Sequence, residues 1–159
     1  MNPVILCIDD QRDVLAALKH DLACFEDKFD IVTGESAREA FELLDEFEAN
    51  ERMVFLIICD HIMPGKNGVM MLSELEHGGR FPIVRKLLLT GLASHQDTIE
   101  AINKAMIDCY IEKPWKQDEL IGHVKCLLTR AVMDRFLDHT KFSPHMDTAI
   151  VFEHMRSRI

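Results

Sequence analysis

Residues 53–68 read MVFLIICDHIMPGKNG, an apolar run that ends on a carboxylate and passes into a loop rich in proline and glycine. A short, wholly apolar run bounded by turn-forming residues predicts a strand that is buried on both faces. Such strands are typical of parallel sheets that carry helices on both sides. Residues Met53–Cys59, with Asp60 at the end, therefore predict a central strand of an α/β fold.

The same alternation continues on both sides of this strand. Four more short apolar runs predict strands at Val4–Ile8, Ile31–Thr33, Ile83–Leu89 and Cys109–Ile111. Apolar residues at helical spacing predict five helices, at Val14–Phe25, after Ser36, at Val69–Leu75, from Ser94 to about Met106, and after Pro114. Five strands that alternate with five helices need crossover connections, which predicts a doubly wound α/β fold with a five-stranded parallel sheet.

Composition narrows the classes of partner. The chain has 159 residues, 48% of them hydrophobic, which suits one domain, and its formal net charge of -9 opposes non-specific binding to nucleic acid or anionic membranes. Partners are therefore expected to be proteins. The opening residues lack a basic region and a long apolar run, so we expect no signal peptide or membrane span, and the five scattered cysteines fit a cytoplasmic protein.

Polar residues close four of the five predicted strands. They are Asp9 and Asp10 after the first, Asp60 after the third, Thr90 after the fourth and Lys113 after the fifth. Ligands of open α/β sheets bind at the carboxyl ends of the strands. Three carboxylates there suit Mg²⁺, or Mn²⁺ as the alternative ion, and one of them can act as a nucleophile that forms an acyl phosphate.

Four motifs carry a family resemblance: VILCIDD at 4–10, LIICDHIMPG at 56–65 followed by Asn67-Gly68, LLTG at 88–91, and YIEKPW at 110–115. Together they resemble the receiver domains of bacterial response regulators in two-component signalling, the family that includes the chemotaxis receiver. The resemblance covers roughly residues 2–128. It implies the strand order 2-1-3-4-5 and a phosphoprotein that signals by phosphorelay.

The resemblance also implies a role for each residue at the strand ends. Asp60 would accept a phosphoryl group from a sensor histidine kinase or a phosphotransfer protein. Asp10, Asp60 and the backbone carbonyl of Ile62 would hold Mg²⁺, and Asp9 would assist mainly through water. We expect Thr90 and Lys113 to be catalytic with Asp60.

A conformational switch and a special peptide bond follow from the same resemblance. Thr90 and Tyr110 would form the switch pair, in which the hydroxyl moves toward the phosphoryl group and the ring turns inward. The Lys113–Pro114 bond would be cis. The only chemistry expected is the protein's own phosphorylation and dephosphorylation, so the chain is not expected to be an enzyme with external substrates.

The C-terminal residues are predicted to be a helical extension. We divide the chain into a receiver domain at 1–128 and an extension at 129–159 without a separate output domain. Apolar residues at 131, 132, 136 and 137 predict that the last helix continues to about Thr140, which favours a homodimer through that helix. The tail histidines are expected to be solvated; they are His139, His145 and His154.

Other interpretations stay open. A phosphorylation-independent adaptor on a receiver scaffold, or a receiver piece of a longer regulator, would have the same motifs. A magnesium-dependent phosphohydrolase is disfavoured because Ile62 stands where such enzymes place a second carboxylate. A flavin or nucleotide module is disfavoured because Asp9-Asp10 would repel phosphate in the first loop. The downstream protein partner is not identified by any motif.

Overall fold

The structure, a computed structural model, describes residues 1–91, 99 and 103–158. Five parallel strands form one sheet in the order β2-β1-β3-β4-β5. The strands are β1 (Val4–Ile8), β2 (Asp30–Gly34), β3 (Val54–Asp60), β4 (Arg85–Thr90) and β5 (Cys109–Glu112). The predicted doubly wound sheet and its strand order are therefore confirmed.

Helices connect and cover the strands. They are α1 (Arg12–Asp21), α2 (Ala37–Ala49), α3 (Gly68–His77), α4 (Gln117–Asp134) and α5 (Thr148–Arg156), with short 3-10 helices at Ala23–Phe25 and His139–Phe142. Residues 103–105 are also helical. The rest of the helix predicted between Ser94 and Met106 lies outside the described residues, apart from Ile99.

Helices on both faces bury the sheet completely at its centre. All seven residues of β3 are buried. Ile58 belongs to a hydrophobic cluster with α1 and α4, whereas Ile57 belongs to a second cluster with α2 and α3. Successive side chains of a strand point to opposite faces, so a continuous apolar run is what a two-sided strand requires.

The loop after β3 is held tightly against the end of that strand. A Cβ atom added to Gly68 would lie 2.1 Å from the backbone oxygen of Asp60, so only glycine fits at this position. The amide of Gly68 donates to the carbonyl of His61 at 2.9 Å, and the side chain of Asn67 caps α3 by accepting from the amide of Met70. These contacts fix the loop beside Asp60.

The last long helix is shorter than predicted, because α4 ends at Asp134 and not near Thr140. Phe136 has a φ of 56°, in the left-handed region. The amides of Phe136 and Leu137 donate to the carbonyls of Met133 and Val132, which is a Schellman motif that closes the helix. Helical periodicity alone could not reveal this stop.

The extension folds back on the sheet and joins its core. The ring of Phe142 stacks on Phe29 at a centroid distance of 5.6 Å and lies 5.8 Å from Phe55. Met146 and Val151 are buried in the same hydrophobic cluster as β3 and α4. The predicted extended helix, on which the homodimer was expected, is therefore replaced by a compact cap.

His145 corrects the expectation that the tail histidines are solvated. Its side chain is only 11% exposed. Its Nε2 atom lies 2.6 Å from Oδ1 of Asp27, and its ring lies 5.0 Å from that of Phe25. Pro144 of the cis Ser143–Pro144 bond directly precedes His145. Within the described part of the chain, no helix is both long and apolar enough to cross a membrane.

Candidate functional site

The parallel sheet brings the predicted polar residues to one edge. Asp9 directly follows β1, Asp60 and Thr90 are the last residues of β3 and β4, and Lys113 directly follows β5. Strands that run in the same direction have their carboxyl ends at the same edge. The register places Asp60 opposite Leu89, one residue before Thr90, so these ends are level.

Three carboxylates converge at this edge. One oxygen atom each from Asp9, Asp10 and Asp60 lies within 4.8 Å of the others. Asp9 is fully buried, Asp60 is 5% exposed, and Asp10 is exposed. Oxygen ligands at this spacing, with one side open to solvent, suit a hard divalent cation that keeps several water ligands.

Lys113 neutralises part of this negative charge. Its Nζ atom lies 2.8 Å from Oδ2 of Asp9 and 3.0 Å from Oδ1 of Asp60. The amide of Lys113 donates to the carbonyl of Thr90 at 2.8 Å, and the Lys113–Pro114 bond is cis. The amine is thus held between a buried and a nearly buried carboxylate.

The surroundings of Asp60 favour its neutral form. Burial raises the pKa of Asp60, the hydrogen bond from Lys113 opposes this, and repulsion from Asp9 and Asp10 adds to the rise. Burial lowers the pKa of Lys113, but hydrogen bonds to Asp9 and Asp60 outweigh it and hold this pKa above its usual value. A bound cation would relieve the repulsion among the carboxylates.

Asp9 is held by contacts on both of its oxygens. Oδ1 accepts from the amide of Gln11 at 2.9 Å, and Oδ2 accepts from Lys113. Asp10 and Asp60 are therefore better placed than Asp9 to offer an oxygen to a metal. The donor set fits Mg²⁺ and, by the same chemistry, Mn²⁺.

The other predicted site residues occupy different surroundings. Thr90 is 3% exposed, whereas Tyr110 on β5 is 40% exposed. Ile62 lies two residues after Asp60 with its side chain 69% exposed, and its role as a carbonyl ligand stays a prediction. Thr90, Asp60 and Lys113 are brought to one edge, and Tyr110 lies on the neighbouring strand.

Two features of the site were not predicted from the sequence. Trp115 Nε1 donates to Oδ2 of Asp21 at 2.8 Å, which links the loop after β5 to α1. A surface cleft of about 470 Å³ lies between this tryptophan, Ala17 and Lys113. The partners are 94 residues apart along the chain, so no local pattern could indicate this contact.

Comparison with known proteins identifies the family. Residues 5–125 match the family model of the response regulator receiver domain. The chain belongs to this family. Receiver domains generally bind Mg²⁺ at acidic residues and interact with kinases and downstream effectors. This receiver has a cluster of three acidic residues, Asp9, Asp10 and Asp60, at the carboxyl edge of its sheet.

Similar proteins include bacterial transcriptional regulators. The hydrogenase transcriptional regulatory protein HoxA of Cupriavidus necator is 35% identical over 121 residues, which are 76% of this chain and 23% of HoxA. The transcriptional regulatory protein CpxR of Escherichia coli is 28% identical over 131 residues, which are 82% of this chain and 51% of CpxR. The receiver thus spans about a quarter of HoxA and half of CpxR.

Solved receiver structures share the fold. The signal receiver domain of an HD domain-containing protein from Pseudomonas fluorescens has a TM-score of 0.71 and 27% identity, covering 82% of this chain and 98% of that one. The chemotaxis protein CheY4 of Vibrio cholerae has a TM-score of 0.66 and 18% identity, covering 79% of this chain and 98% of that one, a likeness in fold alone.

Proposed function

We propose that this receiver accepts a phosphoryl group on Asp60 from a histidine kinase or phosphotransfer protein, in a reaction that depends on Mg²⁺. The observation that carries the proposal is the meeting of three carboxylates within 4.8 Å of one another, with the amine of Lys113 only 3.0 Å from Asp60. A simple helix-capping role for these carboxylates would not need the amine of a partly buried lysine between them.

The chemistry is a phosphoryl transfer between nitrogen and oxygen. An oxygen of Asp60 attacks the phosphorus of a phosphohistidine, the new P–O bond forms, the P–N bond breaks, and the departing imidazole takes a proton from solvent. Lys113 donates a charge-assisted hydrogen bond to a phosphoryl oxygen, and the hydroxyl of Thr90 donates to another. Mg²⁺, when bound, neutralises charge on the transferring group.

We assign Asp10 and Asp60 as direct metal ligands, with the carbonyl of Ile62 as a third and Asp9 acting through water. The two contacts that engage both oxygens of Asp9 support its indirect role. Mn²⁺ is the alternative ion, because it accepts the same oxygen ligands.

Phosphorylation would be read out as a change of surface. We propose that Thr90 moves toward the phosphoryl group and that the exposed ring of Tyr110 turns inward, which changes a protein-binding surface around β5. The output is contact with a downstream protein in the bacterial cytoplasm. No turnover of external substrates is proposed, and a homodimer through the last long helix stays a prediction.

The test is the intact mass of the chain after incubation with acetyl phosphate, and separately with phosphoramidate, in the presence of Mg²⁺. We expect a gain of one phosphoryl group that disappears with a metal chelator and in Asp60→Asn. Glu46→Gln, which removes an exposed carboxylate of α2, is the matched control and should be phosphorylated normally.

A folded protein that gains no phosphoryl group from either donor would favour the adaptor interpretation. Its Mg²⁺ binding is then checked by titration, because an adaptor without the chemistry has no need to keep that affinity. Hydrolysis of a generic phosphate ester with multiple turnovers would contradict the proposal and point to a phosphohydrolase.

A further inference from the structure

Three side chains of types that can bind metals line one surface pocket, and none of the three clustered carboxylates lines that pocket. Cys109 is the first residue of β5, and His123 and Cys126 lie on α4. Residues three apart on a helix share a face. All three side chains line a pocket of about 430 Å³. Both cysteines are free thiols and partly buried, and His123 is exposed.

Two of these side chains already have the spacing of ligands on one ion. The Sγ atom of Cys109 lies 3.4 Å from Nδ1 of His123. With Zn–S near 2.3 Å and Zn–N near 2.0–2.1 Å, a tetrahedral zinc ion separates its sulfur and nitrogen ligands by roughly 3.5 Å. The pair therefore needs little rearrangement to bind.

The third side chain, Cys126, lines the same pocket and would reach the pair by a change of rotamer. Among the described residues, only the carboxylate cluster has three ligand atoms that lie within 4.8 Å of one another. The sulfur of Cys126 therefore lies farther from the pair and has to turn toward it. Moving between staggered rotamers shifts a cysteine Sγ by about 3 Å. Burial, and then repulsion from a Cys126 thiolate, raises the pKa of Cys109 to about 11, so that metal binding has to displace a firmly held proton.

We propose that Cys109, His123 and Cys126 bind a zinc ion, with water as the fourth ligand. Thiolate and imidazole ligands select borderline metals such as Zn²⁺ over Mg²⁺. Binding releases the two thiol protons to solvent, so zinc affinity rises with pH.

The carboxylate that lines this pocket is already engaged, which is why water completes the site. Asp108 also lines the pocket, but its Oδ1 accepts from Arg85 at 3.0 Å and its Oδ2 accepts from the amide of Lys86 at 2.8 Å. An ion on the three proposed ligands would tie β5 to α4 one residue before Tyr110. The proposal of this site does not rest on phosphorylation at Asp60.

The experiment is a Co²⁺ titration of the reduced full chain in excess Mg²⁺, which occupies the carboxylate cluster, followed by displacement with Zn²⁺. We expect one equivalent of Co²⁺ to give thiolate charge-transfer absorption and the visible bands of a tetrahedral site, with two protons released. Cys126→Ser should lose about half of the charge-transfer intensity, and His123→Ala should weaken binding at least tenfold.

Matched controls separate this site from other ligands. Cys24→Ser removes an exposed cysteine elsewhere, and Asp60→Asn alters the carboxylate cluster; both should titrate like the wild type. His123 is exposed and Cys126 is only partly buried, so their variants test the proposal even where Cys109→Ser does not fold. Absence of thiolate absorption, its persistence in Cys126→Ser at full intensity, or its loss in Asp60→Asn would overturn the proposal.

Discussion

Asp60 is subject to opposing electrostatic influences that have a measurable consequence for stability. Burial and the neighbouring carboxylates raise its pKa, and Lys113 counteracts only part of that effect. A carboxylate whose native pKa is raised binds its proton more tightly in the folded state. Ionising Asp60 therefore destabilises the native protein, and this cost is absent at low pH, where both states are protonated.

Asp60→Asn is thus expected to stabilise the protein at pH 7 without Mg²⁺, by about 1 kcal/mol, because the variant removes a buried charge repelled by Asp9 and Asp10. The gain should grow as the pH rises from the ordinary aspartate pKa of about 3.9 through the native value, and should vanish near pH 3. Calorimetry of both proteins at several pH values between 3 and 7 measures this difference in stability. Mg²⁺ should stabilise the wild type and reduce the difference; a variant less stable than the wild type without Mg²⁺ would contradict the argument.

Gly68 provides a second test at the scale of one residue. Gly68→Ala places a methyl group 2.1 Å from the carbonyl oxygen of Asp60, so the loop must shift. We expect a loss of about 2 kcal/mol in the free energy of unfolding and slower phosphorylation. Gly122→Ala, in the open interior of α4, is the matched control and should gain up to about 1 kcal/mol. Equal stability of Gly68→Ala and the wild type would show that the loop is not fixed.

At the scale of an element, the end of α4 depends on an unfavourable residue. Phe136 is 77% exposed and adopts the left-handed conformation that glycine usually provides at this position. That conformation costs a residue with a Cβ roughly 1–2 kcal/mol. Part of the cost is recovered because the guanidinium of Arg158 lies 4.5 Å from the ring centroid, a contact worth about 0.5 kcal/mol at an exposed site.

Phe136→Gly is therefore expected to raise the free energy of unfolding by about 0.5–1 kcal/mol, measured by urea denaturation. Phe152→Gly serves as the control, because Phe152 is also exposed but lies inside α5, where glycine should cost about 1 kcal/mol. If both variants lose stability to the same extent, the left-handed conformation of Phe136 does not carry the energetic cost assigned to it.

At the scale of the whole molecule, the extension is part of the core and not an appendage. Phe142 packs against Phe29 and Phe55, which are themselves fully buried, and Met146 and Val151 are buried in the same hydrophobic cluster. Burying a large apolar side chain is worth about 1.5–3 kcal/mol, and a small domain is stable by only about 5–15 kcal/mol. Removing several such side chains should use up most of that margin.

A chain that ends at Leu128 is consequently expected to lose its cooperative unfolding transition, although the family resemblance ends there. Circular dichroism during thermal unfolding measures this loss. A chain that ends at Arg156 keeps α5 entire and should unfold within a few degrees of the full protein. A stable 1–128 fragment that unfolds cooperatively would show instead that the receiver folds without the extension.

The sequence by itself determined the five strands, their parallel arrangement and the edge where the polar residues meet, while the order of the strands came from the family resemblance. Local patterns were enough: the apolar run before Asp60 indicates a buried strand, and the carboxyl ends of parallel strands must share an edge. Asp9, Thr90 and Lys113 could therefore be assigned to one site before any distance was known.

Only the tertiary structure decided the features that depend on distant partners. Periodicity would let α4 continue past Asp134, but the chain turns at Phe136 because Phe142 finds its burial against Phe29, more than a hundred residues away. The contacts of His145 with Asp27 and of Cys109 with His123 likewise join residues from different elements of the fold. A side chain's neighbours across the fold set its burial and charge, and no window of local sequence contains them.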